Sequence, residues 1–244
     1  ISATTTDDQE HVARLFAKYD LLSLPVVDQE NRLVGIVTVD DVVQVITQEA
    51  TEDFQLMAAT SPTERPYLRT SVWELARHRI IWLAVLMLSA TVTGVVLQRY
   101  EEAFLAIPLL VSFIPMLTDT GGNAGSQSAT LIIRGMAVDE IRPNDFFKVL
   151  WKEFRISLVV GASLGALNFV RIYLTHPGEP ILSLTVSVSL MAVVVVAKTV
   201  GGILPMLAKV LKADPAIMAS PVITTIVDAV GLLVYFKIVE AILL

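Results

Sequence analysis

Residues 117–130, reading LTDTGGNAGSQSAT, set polar groups in the middle of an apolar segment that runs over 103–133. Where such a segment crosses a bilayer, hydrocarbon offers those groups no hydrogen bonds, so they must face protein or water. On a helical repeat Asp119, Asn123, Gln127 and Thr130 fall at i, i+4, i+8 and i+11 and make one polar stripe. Gly121, Gly122 and Gly125 lie around it, and the Gly121/Gly125 spacing lets a second helix approach closely. Two readings follow: a helix contact held by buried amides, or the lining of a substrate or ion path, which is what polar residues inside membrane helices usually mark.

The rest of the chain agrees with a membrane setting. Of its 244 residues 54% are hydrophobic and 17% charged, and with a mean hydropathy of +0.67 it is too apolar for an ordinary soluble domain. Five segments read as spans: 80–98, 103–133, 156–175, 181–208 and 216–236. The first is an uncharged run long enough to cross about 30 Å of hydrocarbon as a helix. Pro108 and Pro115 should kink or tilt the second, and Arg171 should snorkel near the end of the third. Lysine and arginine gather before the first span, between the second and third, and at 209–212. The positive-inside rule then makes the N-terminus cytoplasmic and the C-terminus extracytoplasmic in a multi-pass protein of the plasma (inner) membrane. The first residues lack the basic and apolar runs of a signal peptide.

The formal net charge of −6 comes largely from acids among residues 1–66, Glu64 included. That balance argues against a nucleic-acid surface and for a region that attracts cations. With no cysteine, disulfides and thiolate sites are excluded, and the metal option left is a hard cation with oxygen ligands.

Residues 1–53 read as a small α/β unit. Asp7 with Glu10 three residues on is a capping-box pattern, and Val12, Leu15, Phe16 and Tyr19 then give one apolar helical face. Residues 24–27 and 33–37 make a hairpin of two short buried strands around a turn at 28–32. Asp40 and Asp41 open a second helix. Residues 54–78 are a connector with helix boundaries at Pro62 and Pro66, and 79–244 form a five-helix membrane domain. Asp40, Asp41, Glu49, Glu52 and Asp53 cluster just ahead of the membrane, a pattern whose plain reading is a solvated face.

In the last span Pro221, Thr224, Thr225, Asp228, Gly231 and Tyr235 share a face. Asp228 lies about 12 Å along the helix from Ser220 and so well inside the bilayer. A carboxylate there is costly unless solvated or paired, and it marks function by default. Its other options are protonation with a hydrogen bond, or a pair with Lys198 at similar depth. A pore of amide, hydroxyl and carbonyl oxygens with one or two carboxylates suits Mg²⁺, which gives up its octahedral waters reluctantly. Mn²⁺, Co²⁺ and Ni²⁺ would accept the same geometry. Five helices enclose a water path poorly, and a symmetric homodimer would bring two copies of the polar stripe and of Asp228 around one axis.

The run TGGNAGSQSATLIIRGMA resembles the signature of the MgtE family of magnesium transporters and channels, and LPVVDQENRLVGIVTVDD resembles a CBS domain, the second of a pair, without its first strand and companion repeat. The resemblance implies the C-terminal part of such a protein: the end of the CBS domain, a connector helix that plugs the cytoplasmic mouth, and a pore domain. It implies a homodimer in a lipid bilayer, not an enzyme, that conducts Mg²⁺ past Gly121, Gly122, Asn123, Gln127, Thr224, Thr225 and Asp228. It further implies regulatory Mg²⁺ at Asp40, Asp41, Glu49, Glu52, Asp53 and Asp214. Thr38 and Asp41 match the Thr-x-x-Asp that holds the ribose of ATP in nucleotide-binding CBS domains, and the alternative is a helix cap. Asp119, Lys198 and Ser220 depart from the family pattern, and a Lys198 turned into the pore would weaken cation binding. Other readings are a CBS-regulated transporter of another divalent cation or of another solute, such as an anion met by Lys198 and Arg134. More remote is an intramembrane aspartyl protease built on Asp119 and Asp228, the only carboxylates within the expected spans.

Overall fold

The computed structural model describes residues 1–63 and 65–244; Glu64 and the side chain of Ser220, both named above, lie outside the described residues. The chain divides into two compact units, Ile1–Gln55 with Pro62–Thr70, and Leu56–Ser61 with Ser71–Leu244.

The N-terminal unit runs β1 (Ala3–Thr4), α1 (Gln9–Tyr19), β2 (Ser23–Val27), β3 (Leu33–Thr38) and α2 (Val39–Met57). β1 pairs parallel with β2, and β2 antiparallel with β3 from Ser23↔Thr38 to Val26↔Gly35, with an irregularity at Val26/Val27. The expected hairpin is therefore present, joined by a two-residue first strand that was expected to be missing. Ala3, Val12, Ala13, Phe16, Leu24 and Val42 form the core. β3 is not buried as expected: Leu33, Val34 and Ile36 are exposed, and Val37 is the residue of the strand that packs against the core. The cap of α1 is Asp8, whose carboxylate accepts from the Glu10 N–H at 3.1 Å. Asp7, expected in that role, accepts instead from the Thr4 N–H at 2.8 Å and the Thr4 hydroxyl at 2.7 Å. Those two donors hold its carboxyl below the usual carboxylate range. In the hairpin turn Asp28 accepts from the N–H groups of Glu30 and Arg32, each at 2.9 Å, which satisfies backbone that the ladder leaves unpaired.

The second unit holds α3 (Val72–Arg99), α4 (Glu101–Ala106), α5 (Ile114–Ala137), α6 (Phe146–Thr175), α7 (Pro180–Val210) and α8 (Ser220–Ile242). Four stretches are long and apolar enough to cross a membrane: Val72–Arg99, Pro143–Thr175, Pro180–Val210 and Pro221–Ile242. The expected second span is not one helix. Pro108 opens a 3-10 turn, Pro108–Phe113, and Pro115 sits in the first turn of α5, where a missing N–H leaves no bond unmade. The expected third span begins ten residues earlier than its apolar run, at Phe146, so Trp151 and Glu153 belong to a membrane helix.

α5, α7 and α8 pack around Leu117, Val193, Ile223 and Val227, α6 packs on α7, and α3 packs on α8. The 3-10 turn is pinned to the end of α8 by the Tyr235 hydroxyl, which donates to the Leu110 carbonyl at 3.0 Å, while Tyr100 stacks on Phe236 with ring centroids 4.6 Å apart. Where α7 crosses α5 the backbones touch: a Cβ on Gly201 would fall onto the Gly125 carbonyl, and one on Gly125 would lie 3.0 Å from the Ala197 carbonyl oxygen. A backbone carbonyl cannot swing aside as a side chain can. Gly201→Ala should therefore separate the helices and lower the thermal unfolding midpoint, at a cost of about 1–3 kcal/mol or more. Gly94→Ala, where nothing lies within 4 Å of the new methyl group, should leave the midpoint unchanged or raise it slightly through helix propensity; equal midpoints for both variants in detergent would contradict this contact.

Candidate functional site

The stripe read from the sequence is a face of α5. Asp119, Asn123, Gln127 and Thr130 are exposed, and Gly121, Gly122, Ala124, Gly125 and Ser128 behind them are buried. Among the described residues the side chains of Asp119, Asn123 and Gln127 form no hydrogen bond or ion pair within the chain. Gly121 and Gly122 seat α5 on α8. A Cβ on Gly121 would lie 2.9 Å from Val227 Cγ1, and one on Gly122 would lie 2.9 Å from Thr224 Cγ2. These two glycines set the closeness of the two helices.

On α8, Thr224, Thr225 and Asp228 are half-buried. Both hydroxyls donate to the Pro221 carbonyl, at 3.0 Å and 2.9 Å, which leaves their oxygen lone pairs free to accept. Asp228 follows Val227, the residue packed on Gly121, so it lies level with the start of the stripe. Its carboxylate has no partner among the described residues. Gly231 and Tyr235, expected on the same face, are buried. Gly231 meets Val193 of α7, and Tyr235 reaches the 3-10 turn, so the open face ends one turn beyond Asp228.

Lys198 is neither beside Asp228 nor on the open face. It is buried in α7 and donates to Ser128 Oγ at 3.3 Å, and that hydroxyl donates to Glu153 Oε2 at 2.6 Å. Glu153 corrects the expectation that Asp119 and Asp228 are the only carboxylates within the spans. It precedes the apolar run that begins at 156, inside the charged stretch 151–155. A signal was nevertheless present: Glu153, Ser157, Gly161, Gly165 and Asn168 repeat at helical spacing, and all are buried in α6. At the other end of α6 the Arg171 guanidinium donates to Asn168 Oδ1, at 2.8 Å from Nη2.

The acids expected to regulate lie on α2 of the N-terminal unit and, for Asp214, in the second unit. Asp40 and Asp41 lie in the first turn of α2, where Asp41 accepts from the Thr38 hydroxyl at 2.9 Å, as a helix cap does. Glu49 and Glu52 line one cleft of about 460 Å³ in the N-terminal unit, with Gln9 donating to Glu49 at 2.7 Å. Asp53 follows on α2. Asp214, in the other unit, caps a 3-10 turn by accepting from the Ala216 N–H at 2.8 Å. Among the described residues no three histidine, aspartate or glutamate side chains meet closely enough to hold a metal ion.

Residues 114–238 match the family model of MgtE, a divalent cation transporter, and residues 1–48 match the CBS domain. The chain is 42% identical over 239 residues to the magnesium transporter MgtE of Thermus thermophilus, covering 98% of this chain and 53% of that protein. It is 36% identical over 241 residues to the magnesium transporter MgtE of Bacillus subtilis, covering 99% and 53%. The magnesium transporter MgtE of Enterococcus faecalis is 33% identical over 238 residues, covering 98% and 52%. The chain spans about half the length of these curated relatives. The family model covers α5 to α7 and most of α8, including the two helices that carry the open face, and it sets aside the protease reading. From motif, fold and comparison together, the chain belongs to the MgtE family of divalent cation transporters.

Proposed function

We propose that the protein conducts Mg²⁺ across the membrane along the open face of α5 and α8. Asp228 is the principal carboxylate, and Asn123, Gln127, Thr224 and Thr225 are oxygen acceptors for an ion that keeps waters attached. One observation carries this reading: Asp228 and the stripe are polar groups at membrane depth without partners in the chain, whereas no buried side-chain nitrogen or oxygen among the described residues lacks one. Unpartnered polar groups in hydrocarbon need water or a second protein surface. In this reading α5 is the fifth crossing, and two copies of the chain meet as a homodimer with their stripes around a shared water-filled axis. The distribution of lysine and arginine supports a cytoplasmic N-terminal unit in this proposal. The names of the relatives support the choice of Mg²⁺. Asp228→Asn, reconstituted in liposomes, should lower Mg²⁺ uptake about tenfold or more; uptake at the unaltered rate would sink the assignment. Mn²⁺, Co²⁺ and Ni²⁺ competing in the same assay would give the selectivity.

Because the natural chain has no cysteine, a single Gln127→Cys substitution gives a clean test of the dimer. Oxidation should link two copies in the membrane, and a band that stays monomeric would contradict a shared axis.

The acids at Asp40, Asp41, Glu49, Glu52, Asp53 and Asp214 supply the regulation in this proposal. Cytoplasmic Mg²⁺ bound at them offsets their mutual repulsion and stabilises a closed state. ATP at Thr38 and Asp41 would have to replace the bond that those residues make to each other. Neutralising the six acids should preserve transport while raising the internal Mg²⁺ needed to close it, as read from patch recordings. An inhibition curve that does not move would remove them as the sensor.

A further inference from the structure

We infer that Glu153 and Lys198 are positioning residues of the ion path: a buried charge pair, bridged by Ser128, that fixes the rotation of α5 and keeps the Lys198 charge from acting on a passing cation. The inference rests on the path proposed above. Three helices meet at one hydroxyl. Ser128 comes from α5, Glu153 from α6 and Lys198 from α7, and the three residues are 2%, 8% and 5% exposed. Gly202, one turn along α7 from Lys198, makes room for the carboxylate, since a Cβ there would lie 3.2 Å from Glu153 Cγ.

Ser128 lies on the opposite side of α5 from the stripe. At 3.6 residues per turn it is about 140° around from the centre of Asp119, Asn123, Gln127 and Thr130. Holding that hydroxyl from two neighbouring helices sets which face of α5 points away from the core. The same placement puts the ammonium about one helix diameter, about 10 Å, from the stripe. At that range a stranded charge in a medium of reduced dielectric still acts on an ion. A buried charge that loses its partner is also strongly unfavourable, whereas removal of both charges together is not.

The test is the Mg²⁺ concentration for half-maximal uptake into liposomes by Glu153→Gln, Lys198→Met and the double variant, each normalised to monodisperse protein. Glu153→Gln leaves a stranded cation and should raise that concentration about tenfold, while Lys198→Met leaves a stranded anion and should lower it. The double variant should return close to the unaltered protein. A purely structural role would shift both single variants in the same direction, and that result, or no shift in either, overturns the inference. If the single variants fail to fold, the double variant should recover folded protein; a double variant that folds no better than the singles overturns the pairing. Asp228→Asn measured alongside separates the two proposals, because normal uptake by it overturns the path and leaves the folding yields of the three variants to test the pair.

Discussion

Backbone meets backbone where α7 crosses α5 at Gly125 and Gly201, and the rest of the membrane unit depends on that contact. Hydrocarbon gives helices no hydrophobic reason to associate, so close packing and polar contacts must hold them together. At this crossing α5 takes α7 on one side and, through Gly121 and Gly122, α8 on another. With two sides of α5 committed, the helix has one rotation left to it. That rotation turns Asp119, Asn123 and Gln127 outward and Ser128 inward.

The polar side chains of the unit then divide into two kinds. Inward ones are closed on each other: Lys198 with Ser128 and Glu153, Asn168 with Ser187, Tyr235 with the Leu110 carbonyl. Outward ones on α5, together with Asp228, are left open. Closed groups hold the helices in register, and the open groups are the ones assigned to the ion in the proposed path. The buried Lys198 belongs to the closed set, which reconciles a cation in α7 with a family that transports cations.

In the N-terminal unit the local signals were legible where backbone chemistry acts over a few residues. The hairpin at 23–38 follows from two β-branched runs around an Asp-closed turn. The α1 cap shifted by one residue because Asp7 and Asp8 compete for the same role, and Asp7 is taken by Thr4. The short β1 has no pattern of its own, since two residues carry no periodicity, and it is defined only by pairing with β2.

The sequence by itself determined the class of the protein, the stripe on α5 and the place of Asp228 within an apolar helix. Helical spacing and the cost of burying polar groups in hydrocarbon are properties of one segment at a time, readable without knowing any neighbour. Tertiary structure alone decided the partners. It broke the second apolar segment at Pro108, drew Glu153 into a membrane helix, buried Tyr235 out of the Asp228 face and bonded Lys198 to Ser128. Each of these depends on which helix lies across from which, and a helical repeat specifies a face without specifying what it meets.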